Sequence, residues 1–233
     1  MQRPSPRYAI YFTPPAFSPL ARFGAAVLGY DASLRADVAP IALKDIAAAE
    51  LAAATAAPQK YGFHATVVAP FHLKNGTENQ LIDALERFCT QAEPASLGPL
   101  QVSMLGEFIA LTPMAAVPEL DRLARRAVEF FDVFRGTLPE DISRRDNGCL
   151  SPRQWENLAR WGYPYIFEDF RFHMSLTGPL PAADRERFLR ALTEAAHPTI
   201  DTAYDIDALT LVRQTEPASK FEILSRCAIG VRA

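Results

Sequence analysis

Two nine-residue stretches, Phe63-His64-Ala65-Thr66-Val67-Val68-Ala69-Pro70-Phe71 and Phe172-His173-Met174-Ser175-Leu176-Thr177-Gly178-Pro179-Leu180, follow one plan. Each runs Phe, His, any residue, Thr or Ser, an apolar residue, two more, Pro and an apolar residue. Their histidines stand 109 positions apart (64 to 173), close to half of the 233-residue chain. Side chains alternate faces along a strand, so His64 shares a face with Thr66, and His173 with Ser175. Phe63, Ala65 and Val67 take the opposite face, as do Phe172, Met174 and Leu176. That face is apolar in both copies, which predicts packing on helices and leaves each imidazole–hydroxyl pair to look into a cleft. Arg171 falls on the face of His173. Its counterpart in the first copy is Gly62, so only one copy offers a cation there.

Outward from the motifs, the periodicities alternate. Tyr8–Phe12 reads as a strand that stops at Pro14-Pro15. Ser18-Pro19 reads as a helix start, and Leu20, Phe23, Ala26 and Val27 continue it to Gly29. A second helix is predicted over Leu43–Ala57, then the strand Phe63–Phe71, then a helix capped by Thr77 and running to Gln91. Strands at Leu100–Met104 and Phe108–Leu111 flank Gly106, and a helix spans Val117–Phe131. Ser151 caps a helix over Pro152–Arg160. The strand Phe170–Thr177 leads to a helix at Ala182–Ala196, and Ile206–Gln214 with Phe221–Val231 read as an antiparallel pair. Several strands neighbour one another without a helix between them, which points to α+β with mainly antiparallel sheet. The repeat predicts a single bilobal domain over residues 1–233, with two pseudo-symmetric lobes, helices on the outer faces and a central cleft. One lobe is centred on 60–72 and the other on 170–180, and the segment at about 135–165 is an insertion without a counterpart.

Bulk composition narrows the function classes. Apolar residues make up 49% and charged residues 22%, the balance of an ordinary globular protein, and no run approaches a membrane span. No apolar signal core follows Met1–Arg7, which is read as a cytoplasmic chain. Cys89, Cys149 and Cys227 lack metal-type spacing and fit that compartment. A net charge of −3 argues against a grip on long nucleic acid, which is built on phosphate neutralisation. Neither Gly-x-Gly-x-x-Gly nor Gly-x-x-x-x-Gly-Lys occurs, so a dinucleotide or P-loop fold is not expected.

The chemistry of the motif is that of a tetrahedral anion. Hydroxyls and imidazole N–H groups hold phosphate oxygens. Histidine exchanges protons near neutrality, so two of them flanking a phosphodiester can divide the work: one takes a proton from the attacking water and the other gives one to the leaving oxygen. A single strand histidine is most often a packed or surface residue, but a duplicated His-x-Thr/Ser inside a matching frame is not explained that way. His72 and His197 lie outside the frame.

The pair His64-Ala-Thr66 and His173-Met-Ser175 resembles the defining motifs of the two-histidine phosphoesterase superfamily. Arg7-Tyr-Ala-Ile-Tyr-Phe12, Lys60-Tyr-Gly-Phe-His-Ala-Thr66 and Trp161-Gly-Tyr-Pro-Tyr165, leading into Phe170–Gly178, resemble a branch associated with bacterial phosphonate-utilisation gene clusters. The resemblance implies His64 and His173 as acid and base, Thr66 and Ser175 as phosphate-binding hydroxyls, and neither metal nor cofactor. It implies a small phosphorylated substrate, such as a phosphorylated ribose 1,2-cyclic phosphate opened to a monoester. Lys60, Tyr11, Arg171 and Arg213 are strand-end candidates for substrate contact. Arg144 and Tyr163, within the insertion, are candidates for contacts to a sugar or second phosphate. The alternatives are a 2′,3′-cyclic nucleotide or RNA-end processing enzyme of the same superfamily, a non-catalytic binder of cyclic phosphates, and a metal-dependent hydrolase using His64, His72 and His173. The last lacks any His-x-His or His-x-Glu-x-x-His spacing.

Overall fold

A computed structural model describes residues 5–136 and 148–230. In chain order the elements are β1 (Arg7–Phe12), α1 (Pro19–Leu28), β2 (Tyr30–Asp31), β3 (Ala36–Asp37), α2 (Ala48–Gln59), β4 (Ala65–Leu73), α3 (Glu78–Gln91), β5 (Ala95–Gly98), β6 (Leu100–Leu105), β7 (Phe108–Pro113), α4 (Pro118–Phe131) and β8 (Arg135–Gly136). Then follow α5 (Pro152–Trp161), β9 (Met174–Ser175), α6 (Arg185–Ile200), β10 (Tyr204–Ile206), β11 (Ala208–Gln214) and β12 (Glu222–Ala228).

The helices begin where local chemistry starts them. Ser18, Thr77 and Ser151 each accept a backbone N–H three residues on, which satisfies a donor that the first helical turn leaves open. Gln80 and Gln154 reach back to complete capping boxes. Gly29 and Gly162 close α1 and α5 in the left-handed region.

The central sheet runs β12-β11-β1-β4-β9-β7-β6, with β8 on β4, and its pairings are antiparallel. The two motif strands, β4 and β9, lie side by side in its middle, with Ala65 opposite Met174. One sheet therefore passes through both copies of the motif, and strand pairing does not separate them into two sheets. The apolar face predicted for each motif is buried: Phe63, Ala65, Val67, Phe172, Met174 and Leu176 belong to one core with residues from α1, α3, α4 and α6. Such burial is the main force holding the sheet to its helices, at about 25 cal/mol per Å² of apolar surface. The opposite face carries a small second cluster of Ala9, Tyr11, Val212 and Phe221.

Two expectations are corrected, and one pairing was not foreseen. The second motif strand, predicted over Phe170–Thr177, is regular only at Met174–Ser175. Beyond it the Thr177 hydroxyl takes the Ile109 N–H (3.0 Å), while the Leu176 and Thr177 amides both donate to the Ile109 carbonyl, which breaks the ladder. The second helix begins at Ala48 and not at Leu43, because Leu43 and Ile46 form an isolated bridge and the Glu50 carboxylate accepts the Ala47 N–H. The ribbon of β5 with β10 was not foreseen; its short segments carry no alternation long enough to read.

Candidate active site

Extending the Ala65–Met174 pairing by one residue each way sets His64 across from Ser175 and Thr66 across from His173. Directly opposed side chains on one face lie about 5 Å apart, and diagonal ones about 7–8 Å. The two imidazoles thus occupy one diagonal of a square and the two hydroxyls the other. All four line one cleft of about 390 Å³, within the range of small-ligand sites.

Both rings are held alike. His64 Nδ1 lies 2.9 Å from the Gly62 carbonyl, and His173 Nδ1 lies 2.8 Å from the Arg171 carbonyl. A carbonyl only accepts, so each Nδ1 carries the hydrogen and each neutral ring leaves Nε2 bare for proton transfer. In the His64 pair, Thr66 Oγ1 lies 3.2 Å from Nε2 and donates to it.

Their surroundings differ. The Tyr11 ring stacks on His64 at a centroid distance of 3.8 Å and an angle of 23°, and Tyr61 tilts against it at 6.0 Å. His173 meets only the Phe108 ring among these contacts, at 5.5 Å. Burial lowers the pKa of His64 to about 4, opposed by its bond to Gly62 and assisted by the nearby His173. Burial also lowers that of His173, opposed by the Arg171 carbonyl.

Local backbone explains the placement. Gly62 has φ +71°, a region that disfavours a side chain, and a Cβ there would lie 2.7 Å from the Ala32 Cβ. This turn aims the Gly62 carbonyl at the ring two residues on. Two register shifts between β1 and β4 bring Val67 and Val68 both into the core, while Ala69 and Pro70 border the cleft. At the other motif, the Gly178 N–H donates to the Ala54 carbonyl of α2 (2.7 Å), which docks that helix beside the second motif.

The remaining candidates divide. Tyr11 and Tyr163 line the cleft, the latter delivered by the turn that follows α5. Lys60 is half-buried with its ammonium 4.9 Å from the centre of the Tyr61 ring, and it is not among the cleft-lining residues. Arg171 does not share the face of His173: it precedes the regular strand, its side chain is exposed, and it borders a different cavity with Ser103 and Phe170. Only its carbonyl serves the site. Arg213 is held by Glu78 and Glu222. Arg144 lies outside the described residues. Of the metal-ligand alternative, His72 bonds Ser5 (2.7 Å) and is not part of the cleft wall. Among the described residues, no group of three metal-ligating side chains forms, and no carboxylate lines the cleft.

Sequence reasoning missed Arg7, Tyr61 and Phe108, which also line the cleft. A signal for Arg7 was present: it shares strand parity with Tyr11. Tyr61 and Phe108 reach the site through the turn at Gly62 and the pairing of β7 with β9, neither of which leaves a local pattern.

The fold and site define an α+β protein whose central antiparallel sheet presents two histidine–hydroxyl pairs to one cleft. The chain belongs to the family described as a protein of unknown function (DUF1045), whose match spans residues 66–222 and so takes in Thr66, His173 and Ser175. It is 36% identical over 222 residues to a ribose 1,5-bisphosphate phosphokinase PhnN of Janthinobacterium sp., an overlap of 92% of this chain and 49% of that protein. It is 32% identical over 217 residues to a protein of the same name from Laribacter hongkongensis, covering 93% and 50%. The chain spans about half the length of the curated relatives it matches.

Proposed function

We propose that this chain is a phosphodiesterase that opens a small cyclic phosphodiester by paired-histidine acid–base catalysis, with no metal in the chemistry. The observation that carries this reading is the square of His64, Thr66, His173 and Ser175, with each Nδ1 turned to a backbone carbonyl so that neither Nε2 carries a hydrogen. His64, the ring held more firmly neutral, is the base. It takes a proton from water as the water oxygen bonds phosphorus; the bond from phosphorus to one ring oxygen breaks, and that oxygen takes a proton from His173. Thr66 and Ser175 hold the non-bridging oxygens. The anionic substrate raises the pKa of both rings on binding, which supports a protonated His173 in the complex.

The relatives' name points to the substrate. Opening a 1,2-cyclic phosphate on ribose 5-phosphate at the bond to O2 leaves ribose 1,5-bisphosphate, the compound on which the proteins so named act. This chain lacks a P-loop sequence and spans about half the length of those proteins, so the kinase activity in their name is not carried over to it. A phosphonate-breakdown setting fits the resemblance of the motifs.

The test is turnover of 5-phosphoribosyl 1,2-cyclic phosphate, followed by phosphorus NMR with and without chelator, with 2′,3′-cyclic nucleotides as the comparison arm. Chelator-resistant formation of ribose 1,5-bisphosphate is expected. His64→Ala and His173→Ala should each lose about 10²- to 10⁴-fold in rate. Preference for the cyclic nucleotides would move the substrate to RNA ends. Full activity in either single variant, or tight binding without turnover, would overturn the mechanism.

A further inference from the structure

Arg7 is a half-buried guanidinium on the wall of the same cleft, at the end away from the histidines. Arg7, Ala9 and Tyr11 share one face of β1, so Arg7 lies four residues, or about 13 Å, along the strand from the ring stacked on His64. Directly across on β11 stands Gln214, only 1% exposed. Its carbonyl oxygen accepts from Arg7 Nε (2.9 Å) and from Nη2. Its amide nitrogen is spent on the carbonyls of Pro217 (3.2 Å) and Ser219 (2.7 Å), which fixes which end of the amide faces Arg7. The guanidinium carbon also lies 5.8 Å from the centre of the Phe221 ring.

Gln214 thus holds one edge of the guanidinium with a neutral partner, which adds no countering charge of its own. Among the described residues no carboxylate pairs with Arg7. Arginines elsewhere in the sheet differ: Arg213 is neutralised by Glu78 and Glu222, and Arg226 by Asp207. A guanidinium fixed along one edge and lacking a counter-ion presents its other N–H groups as a fork for a planar or tetrahedral anion.

We infer that Arg7, held by Gln214, is the anchor for a second anionic group on the substrate, a terminal phosphate monoester at the far end of the sugar from the reacting phosphodiester. This rests on the proposed cleavage at the histidines and specifies the substrate as one with two phosphate groups at opposite ends. A pentose with its phosphate groups spans less than the 13 Å between the strand positions, and the length of the Arg7 side chain makes up the difference. Arg7 sets specificity and takes no part in proton transfer.

Two measurements separate the anchor from the chemistry. Arg7→Gln should lower kcat/KM about 10- to 100-fold more on 5-phosphoribosyl 1,2-cyclic phosphate than on ribose 1,2-cyclic phosphate, mainly through KM. Arg7→Lys should fall between wild type and Arg7→Gln. Equal losses on both compounds, or loss through kcat alone, would overturn the anchor. Calorimetric binding of ribose 5-phosphate to the wild-type chain and to Arg7→Gln needs no turnover. A drop of at least tenfold in the variant, at an unchanged melting temperature, supports the anchor even if neither cyclic compound is cleaved. Equal binding by both proteins, or none by the wild type, overturns it while leaving the two-histidine mechanism to stand on its own rates.

Discussion

Each histidine is oriented by a backbone carbonyl two residues earlier, so ring position depends on a main-chain turn as much as on packing. Gly62 carries that dependence for His64. Gly62→Ala brings a side chain to φ +71° and into contact with Ala32. It is expected to cost on the order of 1–3 kcal/mol of stability, read by urea unfolding, and to lower kcat by loosening His64. Tyr11 acts on the same ring from its face. Tyr11→Ala would open His64 to water, weaken the burial that lowers its pKa, and raise that pKa toward the ordinary value near 6.5. Histidine NMR titration should show the rise, and the acid limb of kcat/KM should move up with it; an unmoved titration would mean that Tyr11 does not shield the ring. The histidines and their hydroxyls were legible because a two-residue alternation within one frame can be counted. Arg7 was overlooked because its partner, Gln214, is 207 positions away (7 to 214) and only strand register joins them.

At the scale of elements, α1 meets the first motif at one close point. A Cβ on Gly24 would lie 2.0 Å from the Phe63 ring, so Gly24→Ala must push aside the residue just before His64. Despite alanine's better helix propensity, the variant should lose about 1–3 kcal/mol, with a loss of activity larger than the fall in folded fraction explains. Ser151→Ala removes the cap of α5, which should cost about 1 kcal/mol by the same unfolding assay. Because α5 leads into Tyr163, KM should rise with little change in kcat. The capped helices α1, α3 and α5 were well marked in the sequence, since caps, proline at the first turn and closing glycines are local chemistry, whereas α2 and α6, with no side-chain cap bond, begin several residues later than expected. Strand extents were less well marked: Phe170–Thr177 has the composition of a strand, but Thr177 and the Ile109 carbonyl break its ladder.

For the molecule as a whole, the antiparallel α+β class followed from adjacent strand signals, whereas the placement of both motifs in one sheet depends on long-range pairing that no local pattern encodes. The half-buried histidines also tie stability to pH. His64 has a folded pKa near 4 against about 6.5 unfolded, so the unfolded chain binds more protons between those values. Its contribution is present in full above pH 6.5 and is lost as pH falls toward 4. The urea midpoint should drop across that window, and His64→Gln should flatten the drop; equal pH dependence in both proteins would assign it to other groups. Among the described residues no helix is long and apolar enough to cross a membrane. The pairing of Ala65 with Met174 has a kinetic consequence as well. Contacts across so many intervening residues close late and raise contact order, which slows folding. Helical signal should therefore return before catalysis does when the denatured chain is diluted into buffer, and the recovery of turnover should time the arrival of the second half of the chain beside the first.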